Sequence, residues 1–261
     1  MPTSPSLSPE AVVSALRAAG CVFAEDEAEL ILATARDAAE LASMVDRRAA
    51  GLPLEHVLGW AEFHGLRIAV EPGVFVPRRR TEFLVDQALA EVPDASVVVD
   101  LCCGSGALGA ALAAALDGAL VHAADIEPAA VRCARGNLAP YGGHAHQGDL
   151  YAALPAGLRG RVDLLTANVP YVPTPDLPLL PAEARDHEPP AALDGGPDGL
   201  AVLRRVAAEA PRWLAPGGRL LSETSARQVP AALAAFTEAG LTARVAVSEE
   251  WSAHVVIGAR D

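Results

Sequence analysis

Short apolar runs that alternate with helical stretches limit most strongly what this chain can fold into. Val97–Leu101, Leu120–Asp125, Val162–Ala167 and Arg219–Glu223 are each too short for a helix, and alanine-rich helix-forming segments separate them. Strands spaced by helices do not pair as hairpins. Each connection crosses the sheet, so the strands run parallel with helices on both faces, and the expected class is α/β. Thr242–Val247 and His254–Ala259 break that rhythm, because only a short turn near Glu249–Ser252 lies between them. They should pair antiparallel and make the sheet mixed.

A chain of 261 residues exceeds one typical domain without holding two full ones. Ser8-Pro9-Glu10 has the form of a helix start, with Ser8 as cap and Pro9 in the first turn, and apolar residues keep helical spacing to about Gly51. A small helical unit is expected there. Phe63, Leu66, Ile68 and Val70 around a glycine then suggest a short β-hairpin over Glu62–Glu71, closed by Pro72-Gly73, with a helix near Thr81–Glu91 beyond it. Between Pro173 and Gly199 lies a proline-rich loop too long for a routine connection; a functional lid and a linker both remain open readings.

A formal net charge of −13 argues against a nucleic-acid backbone as partner, because such affinity comes mainly from cationic contacts. A protein or small-molecule substrate is favoured, and no stable nucleic-acid complex is expected. Every basic residue is arginine, which is read as compositional bias. Apolar runs such as Ala110–Leu116 are short, and Met1–Pro5 lacks a basic stretch followed by an apolar one, so a cytoplasmic, monomeric protein without a membrane span is expected. Cys21, Cys102, Cys103 and Cys133 have neither a disulfide framework nor zinc spacing, so no metal is expected. Cys103 and Cys133 suit the core, and His144 and His146 suit surface or structural roles.

Val97–Leu101 runs into Cys102-Cys103-Gly104-Ser105-Gly106 and then a helix. Glycines there let the backbone bend sharply and approach a ligand, while the helix start offers unpaired N–H groups. Asp125 closes the next strand, where a carboxylate can accept both hydrogen bonds of a ribose diol. NAD stays open on these features alone, although Cys102 and Ala107 depart from G-x-G-x-x-G.

Asn168-Val169-Pro170-Tyr171 follows Val162–Ala167 directly, at the end of the sheet where such a ligand would sit. An amide nitrogen is a poor nucleophile because its lone pair is delocalised. A catalyst must hold its NH₂ group as positive charge develops, and two acceptors aimed at the two hydrogens do so. The Asn168 side-chain carbonyl and the Val169 backbone carbonyl can be that pair, with Pro170 fixing the backbone and Tyr171 packing on a planar acceptor.

In this order the motifs resemble the HemK-like family of protein-(glutamine-N5) methyltransferases, which modify peptide-chain release factors. The resemblance covers nearly the whole chain. Leu54–Gly59 and Phe75-Val76-Pro77-Arg78 with Thr81-Glu82 are similar to its joining segment, Gly148-Asp149-Leu150 to its adenine-side turn, and Glu188-Pro189 with Ala192–Leu200 to the segment after its Asn-Pro-Pro-Tyr loop. The resemblance implies a class I S-adenosylmethionine-dependent fold with a Rossmann-like mixed seven-stranded sheet. It divides the chain into a helical substrate-recognition domain (1–60), a hairpin linker (61–76) and a methyltransferase domain (77–261). It implies S-adenosylmethionine as cofactor, held by Asp100, Cys102, Cys103, Gly104, Ser105, Gly106, Asp125, Asp149, Leu150 and Asn168. Catalysis falls to Asn168, Val169, Pro170 and Tyr171, and the partner is a release factor or related protein. The chain departs from the family at Cys102 and Ser225, each in place of glycine, at Val169 in place of proline, and at Arg79-Arg80 in place of Pro-Glu. N6-adenine methylation, a diverged small-molecule N-methyltransferase and a cofactor-binding module without catalysis remain alternatives. Glu188 is either a substrate-facing group or an ordinary loop carboxylate.

Overall fold

The computed structural model describes residues 7–261; the Met1–Pro5 stretch lies outside them. Helices α1 (Pro9–Ala18), α2 (Ala24–Thr34), α3 (Ala38–Ala49) and α4 (Leu54–Leu58) open the chain. Ser8 caps α1 as expected, its hydroxyl accepting from the Ala11 N–H at 3.3 Å. The helices share a core of Val12, Leu16, Ile31, Met44, Val45 and Val57, separate from the clusters on the sheet.

Gly59 ends α4 at φ 80°, so strand β1 (Trp60–Phe63) begins at once and pairs antiparallel with β2 (Leu66–Ala69). The hairpin therefore starts two residues before Glu62, where the pattern alone placed it. Its tip, His64-Gly65, has positive φ at both residues, the twist that a tight hairpin turn requires. Phe63 and Ile68 join the core on one face of the main sheet.

The remainder alternates: α5 (Glu82–Glu91), β3 (Val97–Leu101), α6 (Ala107–Ala115), β4 (Leu120–Asp125), α7 (Pro128–Leu138), β5 (His144–Gln147) and β6 (Val162–Ala167). Then come α8 (Ala182–His187), α9 (Pro190–Leu193), α10 (Ala201–Trp213), β7 (Leu214–Thr224), α11 (Val229–Glu238), β8 (Thr242–Ser248) and β9 (Ala253–Ala259). The seven strands lie in the order β5-β4-β3-β6-β7-β9-β8, with β9 antiparallel to both β7 and β8. Apolar residues on one face pack under α5, α6 and α7, and those on the other under α10 and α11. Two elements exceed the sequence reading. Strand β5 carries one buried residue, Ala145, and shows no apolar run. Strand β7 begins at Leu214, passing Gly217-Gly218 where the register against β6 shifts.

Strand order reverses between β3 and β6, so loops leaving their carboxyl ends diverge and open a crevice. The Pro173–Gly199 loop folds back over this edge. Val172 N–H donates to Leu193 O at 3.0 Å, Gly195 N–H to Val172 O at 2.8 Å, and Thr174 N–H to Gly196 O at 2.9 Å. Of the two readings left open, the linker is excluded: the loop is a folded wall of the crevice.

Candidate active site

A cavity of about 790 Å³ occupies the crevice. Cys102, Cys103, Gly104, Ser105, Asp125, Asp149, Leu150 and Asn168 through Tyr171 all line it, so residues spread over some seventy positions meet in one wall. Asp100 and Gly106 are not part of that wall. Asp100 is fully buried behind the turn and accepts from the Thr166 hydroxyl and the Gly109 N–H, each at 3.1 Å. Gly106 sits where a Cβ would come within 2.9 Å of Ala134 Cβ, so its place is set by α6 packing on α7.

Cys102, Gly104 and Gly106 have φ of 54°, 54° and 77°. These left-handed residues wrap the chain around the space in front of α6. Asp125 holds the turn in place, accepting from the Gly104 N–H and the Glu127 N–H at 2.9 Å each. Those bonds leave its carboxylate further acceptor positions, and Asp125 faces the cavity, so it can still receive a diol. Burial raises the Asp125 carboxyl above the usual range and brings Asp100 to about 7. Burial also pushes the Cys102 and Cys103 thiols well up, which keeps them from acting as thiolates at neutral pH. Asp149 pairs with Arg205 at 2.6 Å beside Leu150, at the far end of this half.

The other half lies beyond β6. The Asn168 side chain makes no hydrogen bond among the described residues, and neither does the Val169 carbonyl. The chain around them is fixed: Ser222 Oγ donates to Ala167 O at 2.6 Å, and Gln228 Nε2 donates to Tyr171 O at 2.9 Å and Asp198 O at 3.0 Å. Gly199 is pressed so close that a Cβ there would lie 2.3 Å from Tyr171 O. Tyr171 donates its hydroxyl hydrogen to Glu223 Oε1 at 3.1 Å, and burial beside Glu223 pushes that hydroxyl well up. Glu223 also accepts from Arg80 Nε at 2.9 Å and Thr81 Oγ1 at 2.6 Å.

Arg80, Glu223, Gln228 and Arg205 are site residues that sequence reasoning did not assign. Arg80 was visible only as a departure, and Glu223 only as the last residue of a strand. Glu188 does not face the cavity: its buried carboxylate accepts from Arg78 Nη2 at 2.6 and 2.7 Å and from the Val76 N–H at 3.1 Å. It ties the long loop to the segment before α5. His144 and His146 join His122 on β4, away from the cavity, with His122 Nδ1 and His146 Nε2 2.9 Å apart.

Sheet order, turn and crevice together define a class I methyltransferase that uses S-adenosylmethionine. The Methyltransferase small domain family matches residues 65–175. A methyltransferase from Pyrococcus furiosus shares the fold at a TM-score of 0.57 and 16% identity, over 75% of this chain and 89% of that one. The release factor glutamine methyltransferase of Mycolicibacterium smegmatis is 41% identical over 244 residues, 85% of this chain and 86% of the relative. A 4-amino-L-phenylalanine/4-methylamino-L-phenylalanine methyltransferase of Streptomyces pristinaespiralis is 38% identical over 203 residues, 75% of this chain and 69% of the relative. The chain belongs to the release factor glutamine methyltransferase family.

Proposed function

We propose that this enzyme transfers a methyl group to the side-chain amide nitrogen of a glutamine in a release factor. One observation carries the reading: Asn168 Oδ1 and the Val169 carbonyl, neither engaged in a hydrogen bond among the described residues, belong to consecutive residues of the wall that holds Asp125 and the glycine turn. Two acceptors on the two N–H bonds orient an amide nitrogen and stabilise the charge it gains. Val169 supplies its backbone carbonyl as a proline would, so the departure at this position leaves the acceptor pair intact. Pro170 fixes the backbone, and Tyr171, tethered through Glu223, offers a flat face to a planar group.

Gly104, Asp125, Asp149 and Leu150 would hold S-adenosylmethionine, with Cys102, Cys103 and Ser105 shaping the turn from its near side. When bound, it supplies an electrophilic methyl on a sulfonium. Orientation then provides much of the rate, because the donor is already activated. The separate core of α1–α4 supports a helical recognition unit within residues 1–60, joined through a 61–76 linker that contains most of the β1–β2 hairpin to the catalytic domain at 77–261.

Incubation with labelled S-adenosylmethionine and a release factor should place the label on a glutamine side chain, read by peptide mass spectrometry. Asn168→Ala should lower kcat by about 10²–10³-fold while cofactor affinity stays within about threefold. Absence of label from every glutamine would sink the reading.

A further inference from the structure

Arg80 stands where the family pattern has an acid, and it touches the catalytic loop. Its Nε donates to buried Glu223 at 2.9 Å and its Nη2 donates to the Tyr171 hydroxyl. The guanidinium carbon lies 5.8 Å from the Tyr171 ring centroid. Two of its three nitrogens are thus pinned, and the plane of the group is fixed. Nη1 has no hydrogen-bond partner among the described residues, and the side chain, 47% exposed, lines the cavity.

Glu223 does not need Arg80 for its hydrogen bonds alone, since Thr81 and Tyr171 also donate to it. The arginine adds a rigid donor edge on the acceptor half, past β6 and away from Asp125. Such an edge matches a carbonyl or carboxylate oxygen, and it repels a cationic acceptor.

We propose that Arg80 determines acceptor specificity by donating from Nη1 to an oxygen on the main-chain side of the acceptor, at the other end of its side chain from the methylated nitrogen. This rests on the amide-methylation reading above. The oxygen is either a main-chain carbonyl of a peptide or the carboxylate of a free amino acid, and substrate choice separates the two.

The test measures KM and kcat for a release-factor glutamine peptide, for free glutamine and for glutamine methyl ester. Wild type, Arg80→Met and the double variant Arg80→Met/Glu223→Gln are compared, with cofactor affinity taken by calorimetry. The double variant removes the buried charge that the single one leaves without its cation. Expected is a rise in acceptor KM of tenfold or more in both variants, with kcat changed less and cofactor affinity within twofold. A rise for the peptide identifies the main-chain carbonyl; a rise for the free amino acid but not its ester identifies the carboxylate. A double variant with wild-type KM for every acceptor would overturn the proposal, because Arg80 would then serve only to neutralise Glu223. If wild type neither binds nor methylates any of the three, the amide-methylation reading fails and the proposal falls with it.

Discussion

Cys102 and Gly106 share one turn and one backbone region, yet substitution should move stability in opposite directions. At φ 54° the Cys102 side chain pays the left-handed cost of an L-residue, about 1–2 kcal/mol. Its half-buried thiol packs at the edge of the core, and losing that contact costs less than about 1 kcal/mol. Cys102→Gly should therefore stabilise by roughly 0.5–1 kcal/mol and raise Tm by a few degrees; a lower Tm in calorimetry would refute the ordering of these terms. Gly106→Ala adds a methyl at φ 77° that meets Ala134 Cβ at 2.9 Å. Strain and overpacking should cost about 2 kcal/mol or more, lowering Tm by about 4–8 °C. The tetrapeptide proposed to act on the acceptor was legible at this scale because Asn168 through Tyr171 are contiguous and follow a strand. Arg80, Glu223 and Gln228 were not, because they meet Tyr171 from segments far apart in sequence and only the folded sheet brings them together.

Among the elements, strands buried on both faces were legible as apolar runs, whereas β5 was not, because His144-Ala145-His146-Gln147 has a single apolar residue. What those histidines do instead sets a pH dependence. His122 is buried, and burial, with His146 and His144 beside it, lowers its pKa from 6.5 to about 4. His146 is lowered as well, by burial, His144 and Arg135. The neutral form is favoured in the fold, so between these pH values the unfolded chain binds more protons and stability rises with pH. The contribution is present above about 6.5 and is lost as pH falls to about 4. Asp100, raised to about 7, acts in the opposite sense over an overlapping range, so a variant comparison is needed. The fall in Tm from pH 7 to pH 4.5 should be smaller in His122→Gln than in wild type; equal falls would show that His122 contributes nothing. The ordering of the long loop was equally hidden, since it depends on Val172 pairing with Asp194 and on Gly199 lying flat against Tyr171.

Across the whole molecule, Arg48 joins the helical unit to the cavity wall. It is buried on α3, with Nε and Nη2 on Glu27 at 2.5 and 3.0 Å and Nη1 on Leu52 O at 2.9 Å. Nη1 also reaches Glu183 on α8 at 2.5 Å, and both Glu183 and Ala184 line the cavity. The two arms of this arginine differ in burial and therefore in energy. Glu27 is nearly as buried as Arg48, so Arg48→Met strands a carboxylate and should destabilise by about 3–5 kcal/mol. Glu183 is half exposed, so its arm is worth at most about 1 kcal/mol and Glu183→Gln should move Tm by no more than about 2–4 °C. Local order should respond more than global stability, because α8 has six residues, no buried side chain and little else to hold it against the helices. Amide exchange of residues 181–188 should accelerate several-fold in Glu183→Gln while α3 keeps its wild-type protection. Acceptor KM should rise with that loosening and cofactor affinity should hold, because the glycine turn and Asp125 lie on the opposite side of β6. Unchanged exchange in 181–188 would mean that the loop is ordered by Arg78–Glu188 and the Val172–Asp194 pairing alone, and that the helical unit does not communicate with the site through Arg48.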